Sequence, residues 1–110
     1  MCGIFGLLNY KNKELTIDDI KNMSDAGKHR GPESSDLVFE LNNKDIVFGF
    51  HRLAINGLDT ISNQPFNIDD CILICNGEIY NYKKLFDEMN IFPKTNSDCE
   101  VIIHLYRKFG

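Results

Sequence analysis

Cys2 has the most reactive chemistry to offer, because an initiator methionine is readily removed ahead of a small residue. Loss of Met1 would leave a first residue that carries a thiol and a primary amine together. A free cysteine thiol, with a pKa of about 8.5, is only a few per cent thiolate near neutral pH, whereas an α-amine at about 7.7 to 8 can accept its proton. Nucleophile and base then share one residue, and no separate histidine is required. The competing reading is structural. Cys2-Gly3-Ile4-Phe5-Gly6-Leu7-Leu8 is apolar enough to open a core strand, where cysteine usually packs.

The other polar motifs also have structural readings. Asn76-Gly77 is the dipeptide most typical of a two-residue hairpin turn. Ser97-x-x-Glu100 has the spacing of a helix capping box. Arg30-Gly31-Pro32 is suited to ending a helix. His29, His51 and His104 are read as surface or hydrogen-bonded histidines. Cys71 and Cys75 fall in the apolar run Cys71-Ile72-Leu73-Ile74-Cys75, where packing is a better account than zinc binding, so no metal is assigned.

The elements that must position these groups can be traced in order. Residues 2–9 have the pattern of a strand. Thr16-x-x-Asp19 then caps a helix with Ile17, Ile20, Met23 and Ala26 near one face, ended by Gly27 and Gly31-Pro32. Alternation over 36–41 and the run 45–50, joined at Asn42-Asn43, predict an antiparallel hairpin. Residues 51–70 are expected to be mostly loop, and 71–75 a strand covered on both faces. Two helices follow around Pro93, with core stripes Tyr82, Leu85, Phe86, Met89 and Ile102, Leu105, Tyr106, Phe109. The class is α+β with antiparallel sheets.

At 110 residues the chain is one domain large enough for a core. A composition of 43% hydrophobic and 25% charged residues, net charge −4, is that of an ordinary globular protein. The acidic balance and scattered basic residues argue against a nucleic-acid partner, and the apolar start is too short for a membrane span and lacks a signal-peptide pattern. The expected compartment is the cytoplasm, with reduced cysteines.

Taken together, Met1-Cys2-Gly3-Ile4, Arg30-Gly31-Pro32, His51-Arg52-Leu53, Ser62-Asn63-Gln64-Pro65, Cys75-Asn76-Gly77-Glu78-Ile79-Tyr80-Asn81 and Ser97-Asp98-Cys99-Glu100 resemble the class II glutamine amidotransferases, which are N-terminal-nucleophile hydrolases. The motifs keep the family's order and span the whole chain. Asn-Gly-Glu-Ile-Tyr-Asn followed by Ser-Asp-Cys-Glu-Val-Ile is most similar to the glutamine-hydrolysing asparagine synthetases; other branches usually have His where this chain has Cys75. Glu33 stands where aspartate is commoner in this branch.

The resemblance implies a sandwich of α/β/β/α layers and hydrolysis of L-glutamine to glutamate and ammonia through a γ-glutamyl thioester on Cys2. By the same resemblance the Asn76 side chain and Gly77 N–H form the oxyanion hole. Arg52 grips the substrate carboxylate, Asp98 and Glu78 address its ammonium, and the backbone of Leu53, Ala54, Ile55 and Asn56 lines the pocket. Arg30 takes a supporting role. The family's domain is nearly twice as long and is followed by a synthetase domain that activates aspartate with ATP. Residues 1–110 are therefore expected to be a truncated N-terminal portion that needs no cofactor itself, ATP and Mg belonging to the absent synthetase domain. The expected partners are L-glutamine and a synthetase domain or chain, with self-association into a homo-oligomer through uncovered strands and apolar faces also open. A catalytically silent glutamine-binding or interaction module is the alternative.

Overall fold

Apolar side chains at alternate positions of Gly3–Leu8 make β1, whose Phe5 and Leu7 turn inward while Ile4 and Leu8 stay exposed. This is seen in a computed structural model that describes residues 1–39, 45–53 and 59–110. The turn expected at Asn42-Asn43 lies outside the described residues. β1 pairs antiparallel with β3 (Ile46–Arg52), from Gly3 opposite His51 to Leu8 opposite Ile46. β2 (Ser34–Phe39) lies on the other side of β3, from Ser34 opposite Arg52 to Phe39 opposite Val47, giving the order β1-β3-β2.

α1 (Ile17–Asp25) begins with the predicted capping box: Thr16 Oγ1 accepts from Asp19 N–H at 3.1 Å, and Asp19 Oδ2 accepts from Thr16 N–H at 2.8 Å. These bonds hold the Asp19 carboxyl below its usual range. Its packing face differs from the expected one. Ile20 and Ser24 are buried, whereas Ile17 and Met23 remain 59% and 45% exposed and Ala26 is exposed too. The cause is close approach of helix to sheet at Gly49, where an added Cβ would lie 2.7 Å from Leu37 Cδ2 and 3.1 Å from Ser24 Oγ. Ile20, Tyr10 and Val47 form the core there with Phe5, Leu7, Leu37 and Phe39 around them.

A second core sits under a small sheet. Residues 51–70 are not simply loop: β3 runs on to Arg52, and β4 (Phe66–Ile68) pairs antiparallel with β5 (Cys71–Leu73). Their two-residue turn is Asp69-Asp70, both at positive φ (50° and 63°), as a type I′ turn requires. β5 is shorter than the predicted 71–75 strand and only half-buried: it pairs with β4 alone, and Cys71 and Leu73 pack against one buried cluster. Phe66, Ile68, Cys99 and Ile103 are buried together, with Cys71, Leu73 and Cys75 packed against them.

α2 (Tyr82–Met89) buries Phe86, which meets His104 edge-on at a 5.5 Å centroid separation. α3 (Val101–Phe109) turns the opposite way from its predicted stripe. It buries Val101, Ile103 and His104 and leaves Tyr106 and Phe109 64% and 72% exposed. The polar pair Glu100 and His104 decides this orientation. Glu100, with no exposed surface, accepts from Lys94 N–H (2.8 Å), Thr95 N–H (2.6 Å) and His104 Nε2–H (2.9 Å). Glu100 therefore does not close the expected capping box with Ser97, whose Oγ instead accepts from Cys99 N–H at 3.3 Å. No helix among the described residues is long and apolar enough to cross a membrane.

Candidate active site

The two cores meet along a seam, and a cavity of about 310 Å³ opens there, within the range of small-molecule sites. One wall comes from the start of the chain and the end of β3: Cys2, Phe50, Arg52 and Leu53. The other comes from the loop leaving β5 and the turn before α3: Asn76, Gly77, Glu78 and Asp98, with Ser62 and Gln64 between. Cys2, Arg52, Leu53, Asn76, Gly77, Glu78 and Asp98, all singled out from sequence, thus line one cavity. Ala54, Ile55 and Asn56 lie outside the described residues.

Cys2 is half-buried beside the last residue of β3's extension. Leu53 N–H donates to its sulfur at 3.2 Å, and the S–H donates back to the Leu53 carbonyl at 3.3 Å. On deprotonation the first of these contacts would strengthen and the second would be lost. Arg30 Nε donates to the Cys2 carbonyl at 3.2 Å, fixing the backbone that carries the thiol. That contact depends on Gly31. An added Cβ there would lie 2.2 Å from the His51 carbonyl oxygen and 2.6 Å from the Arg52 carbonyl carbon, so only glycine lets the loop cross β3. Met1 is 72% exposed at the cavity wall.

Arg52 is buried, and its Nη1 donates to the Asp59 carbonyl at 2.7 Å and to Asn63 Oδ1. The guanidinium is thereby fixed as a positive wall of the cavity. Asp98, 5% exposed, accepts from Ile79 N–H at 2.5 Å, which ties the turn before α3 to the loop after β5. The Asn76-Gly77 step makes no hairpin turn; it runs through irregular backbone toward α2. Gly77 has no positive φ, and an added Cβ would meet only Cys75 Sγ at 3.9 Å, so this backbone borders open space. Cys99 lies beneath, its S–H donating to the Gly77 carbonyl at 3.4 Å; burial and the neighbouring Cys75 thiol push its own thiol far up.

His51 is buried away from this chemistry. Its Nε2 lies 2.7 Å from the Ser24 carbonyl, which can only accept, so Nε2 carries the proton and Nδ1 accepts from the Ser35 hydroxyl at 2.7 Å. It joins α1, β2 and β3. Gln64 is the residue whose part was not legible in advance. Its side-chain amide holds both backbone groups of Cys75, the residue before Asn76.

The family profile described as the glutamine amidotransferase domain matches residues 1–110. The chain belongs to the glutamine amidotransferase domain family. Relatives of this amidotransferase domain include a protein named putative asparagine synthetase (glutamine-hydrolyzing) 2 from Methanocaldococcus jannaschii, 37% identical over 127 residues, covering all of this chain and 24% of the relative. One named asparagine synthetase (glutamine-hydrolyzing) 2 from Bacillus subtilis is 42% identical over 117 residues, covering all of this chain and 15% of that protein. A mimivirus protein named probable asparagine synthetase (glutamine-hydrolyzing) is 37% identical, again over all of this chain and 20% of its own length. The chain therefore spans about a fifth of the length of these relatives.

Proposed function

We propose that this chain is the glutaminase portion of a glutamine-hydrolysing asparagine synthetase, belonging to the layered N-terminal-nucleophile sandwich and acting in the cytoplasm. The observation that carries the reading is the convergence on one cavity of a sulfur nucleophile, an Asn-Gly donor pair, one fixed guanidinium and a buried carboxylate. Those are the groups that free glutamine presents a need for: an electrophilic amide carbon, a developing oxyanion, a carboxylate and an ammonium.

Once Met1 is removed, the Cys2 amine takes the thiol proton and the sulfur attacks the side-chain amide carbon of glutamine. The oxyanion that forms is met by the Asn76 side chain and Gly77 N–H. Collapse breaks the C–N bond; ammonia leaves with the proton returned from the amine, and a γ-glutamyl thioester remains on Cys2. Water then adds to the thioester, releasing glutamate and restoring the thiol. Arg52 holds the substrate carboxylate by the planar, charge-assisted pairing guanidinium favours, while Asp98 and Glu78 hold the ammonium. Leu53 backbone borders the reacting sulfur. These steps require no metal or cofactor; ATP and Mg belong to a synthetase portion that would pass the ammonia to activated aspartate.

Intact-mass spectrometry before and after exposure to a diazoketone analogue of glutamine tests this reading. The expected result is loss of Met1 and one adduct, located on Cys2. Cys2→Ala should abolish turnover and keep glutamine binding. A folded, Met-free chain that leaves Cys2 unmodified would overturn the reading in favour of a silent glutamine-binding module.

A further inference from the structure

The loop bearing Asn76 and Gly77 is tied back toward the small sheet by the Gln64 side chain. β4 and β5 pair Ile68 with Cys71, Asn67 with Ile72 and Phe66 with Leu73. Carried two residues further, that register would set Gln64 opposite Cys75 and Pro65 opposite Ile74. Pro65 brings no N–H, and the main-chain ladder stops at Phe66. Gln64 continues the pairing with its side chain. Its Oε1 accepts from Cys75 N–H at 2.6 Å, and its Nε2 donates to the Cys75 carbonyl at 3.1 Å. A primary amide carries the same donor and acceptor as a peptide unit, so it satisfies both groups of Cys75 as a neighbouring strand would.

We propose that Gln64 is a positioning residue for the oxyanion donors, setting where the Asn76 amide and Gly77 N–H point by fixing the residue immediately before them. The proposal rests on the glutaminase reading. Gln64 is itself only 6% exposed, so its bonds to Cys75 are shielded from competing water. Other side chains fail for stated reasons. Glutamate would set a carboxylate oxygen against the Cys75 carbonyl, and asparagine is one methylene short of reaching both groups. Because Gln64 acts through Cys75 and not on the substrate's charged ends, its loss should be felt where the oxyanion develops.

The test uses the full chain with Gln64→Glu and Gln64→Met. It reads steady-state glutaminase activity, affinity for L-glutamate γ-semialdehyde, thermal unfolding, and amide exchange at Cys75, Asn76 and Gly77. The aldehyde adds the Cys2 sulfur at its carbonyl carbon and takes the thiol proton on oxygen, giving a tetrahedral adduct that calls on the same donors. In both variants kcat should fall about 10- to 100-fold with KM changed less than about twofold. Aldehyde affinity should fall with kcat, and Cys75 exchange should quicken. Unchanged kcat in folded variants, or KM rising in step with kcat loss, would overturn the proposal. Should either variant fail to fold, the wild-type chain still decides, because an unprotected Cys75 N–H there is incompatible with it. A wild type that neither hydrolyses glutamine nor binds the aldehyde refutes the glutaminase reading instead, while the Cys75 exchange data judge separately whether Gln64 holds the loop.

Discussion

Glu100→Gln should destabilise the protein by about 2 to 4 kcal/mol at neutral pH, and by progressively less in acid. Glu100 has no exposed surface; Oε1 accepts from Lys94 N–H and His104 Nε2–H, while Oε2 accepts from Thr95 N–H. Glutamine can place its oxygen at only one of these positions. With oxygen at the Oε1 site, its NH₂ group faces the Thr95 N–H, so one buried donor loses its acceptor and two donors are opposed. An unsatisfied buried donor costs roughly 1 to 3 kcal/mol, and the remaining bonds lose the charge assistance that makes such contacts worth about 1.5 to 3 kcal/mol each. At roughly 4 to 8 °C per kcal/mol for a domain of this size, Tm at pH 7 should fall by about 8 to 30 °C.

The pH dependence supplies the sharper check. Burial alone would raise the Glu100 carboxyl, but the bonds from His104, Lys94 and Thr95 outweigh it and hold the group below its ordinary 4.5. The unfolded chain therefore binds the proton first as pH drops. The stabilisation is complete above about pH 4.5 and is lost as pH falls through the folded value. Wild type protonated at Glu100 resembles the glutamine variant, so the gap in Tm between them, followed by circular dichroism from pH 7 downward, should narrow toward zero. A gap that stays constant across that range would refute the reasoning.

Three further outcomes follow from the site's construction. Gly31→Ala forces a Cβ to within 2.2 Å of the His51 carbonyl oxygen, and should cost at least about 1 to 3 kcal/mol and slow Cys2 labelling by releasing Arg30; an unchanged melt would refute the crossing argument. Asp98→Asn keeps an oxygen for Ile79 N–H but removes the charge proposed to face a substrate ammonium, so KM for glutamine should rise about 10-fold or more at nearly unchanged Tm, and an unaltered KM would dismiss the assignment. Cys99, whose thiol is pushed far up by burial and by Cys75, should resist iodoacetamide at pH 8 in the folded chain and react in urea, whereas labelling as fast as Cys2 would contradict its placement.

The parts of this fold legible in the sequence are those where one local rule acts without competition. β1 alternates, and Thr16 with Asp19 caps α1 as the spacing implies. What local patterns did not carry turned on partners outside the element itself. The stripe Ile102, Leu105, Tyr106, Phe109 has the spacing of a buried side of α3, yet Glu100 is buried because the N–H groups of Lys94 and Thr95 satisfy it, His104 is buried because it donates to Glu100, and the pair turns the helix. Asn76-Gly77 had the chemistry of a hairpin turn, while the actual turn used Asp69-Asp70, with Lys94 Nζ 2.8 Å from Asp69 Oδ1. The site residues were legible only as a set of separated motifs, and Gln64 had no role until its distance to Cys75 was known.

That set converges because the seam between the cores is built from polar groups that bind one another. Arg52 donates to Asn63 and to the Asp59 carbonyl; Asp59 accepts from Ser62 N–H and from the Asn96 side chain; Asn96 N–H donates to Ser62 Oγ. The bonds from the Asn96 side chain and from Ser62 hold the Asp59 carboxyl below its usual range. Apolar packing across the same seam would close it and make a charged ligand pay the full cost of desolvation. A seam whose wall charges are already fixed by internal partners can stay open, and it can receive a small zwitterion without first reorganising. The two apolar clusters on either side then supply rigidity, and the cavity lies where their rigid frames bring residues 2, 52, 76 and 98 together.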